Sequence, residues 1–214
     1  MQEKIERNLF LYKICIKRTI LIHVLVALVI IFMIMFFQGV SNLDAYSSAK
    51  CLECYIALIG IPLLVPISQP EESIEIREVL TSKIVSIKKI WRIRFIIRTL
   101  ILFILVFLFA LFLKKNNCIF PFKEYVFGTF STALFLGTLG ILFSKITYST
   151  TIGYMVSIGY YVYNLMTKGK LLGKFYLFSM YRGDYLSKWF LILISFIFLL
   201  IVNFNLLGKK EVIS

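Results

Sequence analysis

Few residues of this chain could do chemistry, and most of them stand alone. Cys51-Leu52-Glu53-Cys54 is a single CxxC, and the only histidine is His23. A zinc site would want a second cysteine pair or histidine partners. A redox CxxC would want a strand leading into a helix, and a disulfide within one helical turn is strained. The plainer expectation is that Cys51 and Cys54, like Cys15 and Cys118, are small apolar side chains near the ends of membrane segments. HExxH, GxSxG and paired intramembrane aspartates do not occur, so hydrolytic and metal-assisted reactions find no candidates. The chain is expected to be no enzyme and to hold no metal or cofactor. Polar residues inside apolar runs are the remaining candidates. His23, one turn inside the first run, is expected at the interface rather than in a proton relay. Glu53 and Glu124 fall at outer ends of runs and need no burial. Arg98 can snorkel from the end of its run to the head groups. Asn164, Asn203 and Asn205 could bond between helices. Tyr154, Tyr160, Tyr161 and Tyr163 either line a pathway or pack as ordinary aromatics.

These residues must be positioned by membrane helices. Of 214 residues, 60% are hydrophobic and 16% charged, with a mean hydropathy of +0.89. A soluble domain carries roughly 25% charged residues. Runs near 20 apolar residues match a hydrocarbon layer of about 30 Å. Six runs are read as spans, at about 19–38, 51–67, 95–113, 124–143, 151–166 and 189–207, in one transmembrane domain covering 1–214. The basic stretch before the first run does not read as a cleaved signal, because the run exceeds a signal's apolar core and lacks a small-x-small site. The expected fold class is an all-α integral membrane protein with six transmembrane helices.

Pro62 and Pro66 should kink the second span. Gly60, Gly128, Gly137, Gly140, Gly153 and Gly159 gather in spans two, four and five, where small residues let helices approach closely. Those three are expected inside the bundle or at a subunit interface, and one, three and six toward lipid. A hinge at 144–150 joins spans four and five. The net charge of +13 flanks the spans, which points to lipid head groups rather than nucleic acid. With the N-terminus inside, 15 of the 24 Lys and Arg fall on the inner side. Both termini are therefore expected in the cytoplasm of a plasma membrane. Abundant Lys, Ile, Phe and Asn point to an AT-rich bacterial source.

Two polar segments have a pattern. In 68–94, Ser68 and Glu71 have capping-box spacing and Pro70 lies in the first turn. Ile76, Leu80, Ile84, Ile87 and Trp91 form one face at helical spacing. Acids fill the first half and bases the second, which suits the helix dipole. The segment predicts one or two amphipathic helices at the inner surface. The acidic end fits a protein partner and the basic end fits lipid, so docking and a lipid-only role are both carried forward. In 167–188, Lys174 and Arg182 mix with Tyr176 and Tyr181. That combination fits either a lipid contact at the interface or an outer gate.

Two spans, an acidic-then-basic inner segment and four further spans resemble the membrane subunits of ABC-2 type exporters. The segment Glu71-Glu72-Ser-Ile-Glu75-Ile-Arg77-Glu78-Val-Leu-Thr-Ser-Lys83 is similar to the family's stretch between spans two and three. Gly137-Thr-Leu-Gly-Ile-Leu-Phe-Ser-Lys145-Ile-Thr-Tyr-Ser is similar to its fourth span running into a short inner turn. The resemblance implies a permease subunit that pairs with a second copy or a related permease. It implies a cytoplasmic coupling helix between spans two and three, where Glu71, Glu72, Glu75, Arg77, Glu78 and Lys83 dock a separate cytoplasmic ABC ATPase. It also implies an exported peptide, antibiotic or lipid-like cargo. ATP with magnesium would sit on the ATPase, since Gly169-Lys-Leu-Leu-Gly173-Lys174 lacks the GxxxxGK[ST] spacing of a phosphate loop. The other readings are a non-catalytic membrane scaffold or immunity protein, and an ion-driven carrier, which should show charges at mid-membrane.

Overall fold

A computed structural model describes residues 20–37, 39–67, 69, 87–167 and 173–205, without the side chains of 87–90, 174, 204 and 205. All regular structure among them is helical. The long helices are α1 (Ile20–Phe37), α2 (Ala45–Ile67), α3 (Ile87–Lys115), α4 (Phe122–Thr147), α5 (Thr150–Thr167) and α6 (Leu186–Asn205). Five of them, all but α5, are long and apolar enough to cross a membrane. Leu100, Phe32, Phe36 and Phe196 are among the many large apolar side chains left exposed. Such a surface fits a multi-pass membrane protein.

α2 and α4 are interior, as the small residues predict, whereas α5 buries five of its 18 residues and is as exposed as α3 and α6. In α2 and α4, 78% of the span is buried, against 17%, 33% and 28% in α1, α3 and α6. The buried side of α5 is the stripe Thr150, Gly153, Ser157, Tyr161 and Asn164. Glycine makes the close approaches possible. A Cβ on Gly60 would fall within the backbone of Ala133 in α4, 2.9 Å from its Cα. One on Gly140 would lie 2.5 Å from the Ser157 hydroxyl of α5. Ser157 adds a hydrogen bond to the Leu136 carbonyl at 2.9 Å.

Several boundaries differ from the sequence reading. Ala45–Lys50, read as loop, is helix, because Asp44 caps it by accepting from the Ser47 N–H at 3.1 Å. α3 begins at Ile87, so Trp91 and Arg94, assigned to the amphipathic segment, belong to the same helix as span three. α6 starts at Leu186. The hinge between α4 and α5 shrinks to Tyr148 and Ser149, with Tyr148 in the left-handed conformation at φ 55°. The kink expected in α2 is a run of irregular turns: a π turn at Cys51–Tyr55 and 3-10 turns at Ile56–Ile59 and Val65–Ile67. Prolines deprive the ladder of donors, and α2 never settles into one helical form.

The helices alternate in direction. Asn42 donates its N–H to the Asn116 carbonyl at 3.0 Å and Ile119 donates to Leu43 at 3.1 Å. The α1–α2 and α3–α4 connections therefore share one end, called outer below. The α5–α6 connection joins them there, with the Tyr46 and Tyr181 rings 5.6 Å apart. The Tyr148 turn, Ile67 and Ile87 lie at the other, inner end.

Candidate functional site

Two groups of polar side chains are buried in the bundle, one toward each end. The outer one is built around Glu53. Four consecutive residues, Cys51 to Cys54, are buried in the π turn. The extra residue in the turn aims Glu53 inward, where it is 0% exposed. Its carboxylate forms an ion pair with Lys188, also 0% exposed, from the first turn of α6. The Met180 N–H donates to both carboxylate oxygens at 3.1 Å.

The Lys188 ammonium is equally well supplied. It donates to the Thr132 hydroxyl of α4 at 3.0 Å and to the Leu177 carbonyl. Leu177 in turn donates its N–H to the Asn164 side-chain oxygen at 3.0 Å, and the Tyr161 hydroxyl donates to the Cys54 carbonyl. The α5–α6 connection thus dips between helices α2, α4, α5 and α6, with Leu177, Phe178 and Met180 fully covered. Residues 176–182 form a plug in the outer end, held by charge at its centre. The Glu53 carboxylate and the Lys188 ammonium are both fully covered.

The predicted outer residues sit on this plug. Tyr176 is buried and shares a hydrogen bond of 2.8 Å with the Tyr181 hydroxyl. Burial first, and then that shared hydrogen bond, push its phenol above the ordinary range. The Arg182 guanidinium lies 4.9 Å from the Tyr176 ring centre and 5.5 Å from that of Tyr181. The side chain of Lys174 is outside the described residues, as are all of Glu71, Glu72, Glu75, Arg77, Glu78 and Lys83. Asp184 ends the plug by accepting from the Leu186 and Ser187 N–H groups at 3.1 and 3.3 Å, capping α6. The Ser187 hydroxyl above all holds its carboxyl below the usual range.

The inner group is different in kind. Trp91, Arg94 and Arg98 follow one another at three and four residues on the buried side of α3, at 3%, 6% and 2% exposure. Arg98 does not snorkel. Its Nη1 donates to the Leu63 carbonyl of α2 at 3.0 Å. In the 3-10 turn Val65–Ile67 that carbonyl would be the acceptor for residue 66, and Pro66 has no N–H to give. The arginine replaces the donor that proline removed. His23 of α1 and Tyr154 of α5 lie within electrostatic range of the same guanidinium.

Sequence reasoning put Glu53 at the outer end of a run with no need of burial and Lys188 at the end of the basic, aromatic 167–188 segment, and missed their pairing. The usable signal was one carboxylate inside an otherwise apolar stretch, which needs a cation of its own. Cys51, Cys54 and Cys118 are buried and unbridged, and no group of three metal-ligating side chains forms among the described residues. The chain matches no family model, no curated protein and no solved structure.

Proposed function

We propose that this chain is the membrane-spanning permease half of an ATP-driven exporter, with the energy supplied by a separate cytoplasmic ABC ATPase. The observation that carries this reading is the asymmetry between the two ends. The outer end is stoppered by residues 176–182, and Ile67 and Ile87, which bracket the acidic-then-basic segment, lie at the inner end. A motor gripping Glu71, Glu72, Glu75, Arg77, Glu78 and Lys83 would pull on α2 and α3, and α2 carries Glu53. The ABC-2 resemblance of 71–83 and 137–149 supports the same assignment.

On this reading α5 is the sixth span. Its 18 residues reach about 27 Å, close to the hydrocarbon thickness. It is less apolar than the others because its polar stripe is shielded by α4. Two copies, or this chain and a related permease, complete the pathway in a bacterial plasma membrane with both termini inside. The cargo is a peptide, antibiotic or lipid-like molecule.

The test is co-purification of the full chain with an ATPase encoded beside it, then Glu75→Lys combined with Glu78→Lys. Loss of the complex and of its ATP turnover is expected. Unchanged assembly and turnover would remove the docking reading. One observation favours an ion-driven carrier instead: Glu53 and Lys188 are charges within the bundle. Transport into vesicles that persists without ATP and stops with a protonophore would select that reading.

A further inference from the structure

Trp91, Arg94 and Arg98 present donors and nothing else: an indole N–H and two guanidinium groups have no acceptor atom. The Trp91 Nε1–H and the Arg98 Nε–H are buried, and neither finds an acceptor among the described residues. No carboxylate among those residues reaches Arg98 either; the nearby groups are Arg94, His23 and Tyr154. The Leu63 carbonyl takes one of its five N–H groups and neutralises none of its charge. A buried cation with no counter-charge among the described residues is costly and, inside a bilayer, marks a functional site.

The depth of the cluster narrows what could supply the charge. The apolar run of α3 begins at Phe95, and Arg98 stands three residues along it, about 5 Å at the helical rise. That is the level where the head-group region meets the acyl chains of a bilayer about 40–45 Å thick overall. The ligand must bring several acceptors and negative charge to that depth, and planar guanidinium forks match phosphate oxygens in pairs. We infer that Trp91 and Arg98, with Arg94 beside them, form an intramembrane site for a phosphate group. The ligand reaches it beside α1, whose His23 lies within electrostatic range of Arg98. The inference does not depend on an ATPase partner. The phosphate comes either from a phospholipid head group or from soluble phosphate.

The full chain in a neutral detergent is titrated with short-chain phosphatidylglycerol, with diacylglycerol of the same chain length, and with inorganic phosphate, while its unfolding temperature is followed. A rise with phosphatidylglycerol but not with diacylglycerol or inorganic phosphate supports the site with a lipid source. A rise with inorganic phosphate as well supports it with a soluble source. Arg98→Gln should need about ten- to a hundredfold more ligand for the same rise, the loss of one charged hydrogen-bond set. Trp91→Phe, which deletes one N–H and keeps the ring, gives a second, milder variant if Arg98→Gln does not fold. Absence of any phosphate-dependent rise in the parent chain, or an equal rise in the variants, would overturn the proposal.

Discussion

The two buried polar groups are opposites. Around Glu53 and Lys188, each charge meets its opposite, and Met180, Thr132 and Leu177 take up the remaining hydrogen-bonding capacity. Around Arg98, positive charge and N–H groups accumulate, and the Arg98 guanidinium itself has one carbonyl in return among the described residues. A closed arrangement of the first kind resists removal of any single member, because what remains is left charged and dry. An open arrangement of the second kind loses little when a member is deleted. The outer cluster is therefore a structural clasp, and the inner one has capacity to spare.

Stability measurements can break that contrast. Glu53→Gln strands the Lys188 ammonium and should lower unfolding stability in detergent by about 3–5 kcal/mol. Combining it with Lys188→Met should restore most of the loss. If the single variant unfolds with its parent, the clasp is not load-carrying in this sense and the contrast falls. Next in size is a packing test. Gly153→Val would force a side chain onto the Gly140 carbonyl and the Ser144 side chain, an overpacking that costs about 1–3 kcal/mol. Gly159→Ala, with nothing within 4 Å of the added carbon, should be neutral or gain up to about 1 kcal/mol from helix propensity. The two glycines sit six residues apart on α5, so equal effects would contradict the assigned face.

Arg98→Met comes third. Among the described residues it strands no counter-charge and leaves the Leu63 carbonyl without its donor, so the cost should stay near 1 kcal/mol in the absence of phosphate. A loss as large as that of Glu53→Gln would mean that Arg98 is compensated after all. The smallest effect belongs to Asp184→Ala, at about 0.5–1 kcal/mol for an N-cap in water. The Asp184 carboxyl is held below its ordinary range in the folded chain. Its contribution is thus present above the unfolded-state pKa and disappears as pH falls through the lower folded value. Parent and Asp184→Ala should converge in acid and separate near neutrality.

The apolar runs and the placement of small residues made the helical membrane fold legible, along with the interior position of α2 and α4, but not the exposure of α5, whose small residues line one stripe only. Gly60, Gly137, Gly140 and Gly153 carry that information locally, since a missing side chain reports a close neighbour. The polar clusters were not legible in the same way. Whether Glu53 is solvated or buried depends on Lys188, 135 positions later in the chain, and on a π turn that no residue pattern announces. Pro66 could be read as leaving a carbonyl in need of a donor, but not that Arg98 would be the donor. The start of α3 was misplaced because Lys88, Lys89, Arg92 and Arg94 look like a solvated face, although the backbone continues unbroken from Ile87. The docking residues 71–83 fall outside the described residues, so their pattern remains a property of the sequence.

The two-residue connection at Tyr148 constrains how this bundle can change shape. With so short a tether, and with backbones touching at Gly140 and Gly153, helices α4 and α5 have no slack to slide past each other. Any large rearrangement must carry them together as one rigid lever, pivoting against α2 on one side and α6 on the other. Motion would then concentrate at the Gly60–Ala133 contact and at the plug. A covalent tie between α4 and α5 should leave such motion untouched, and one from α2 to α4 should freeze it.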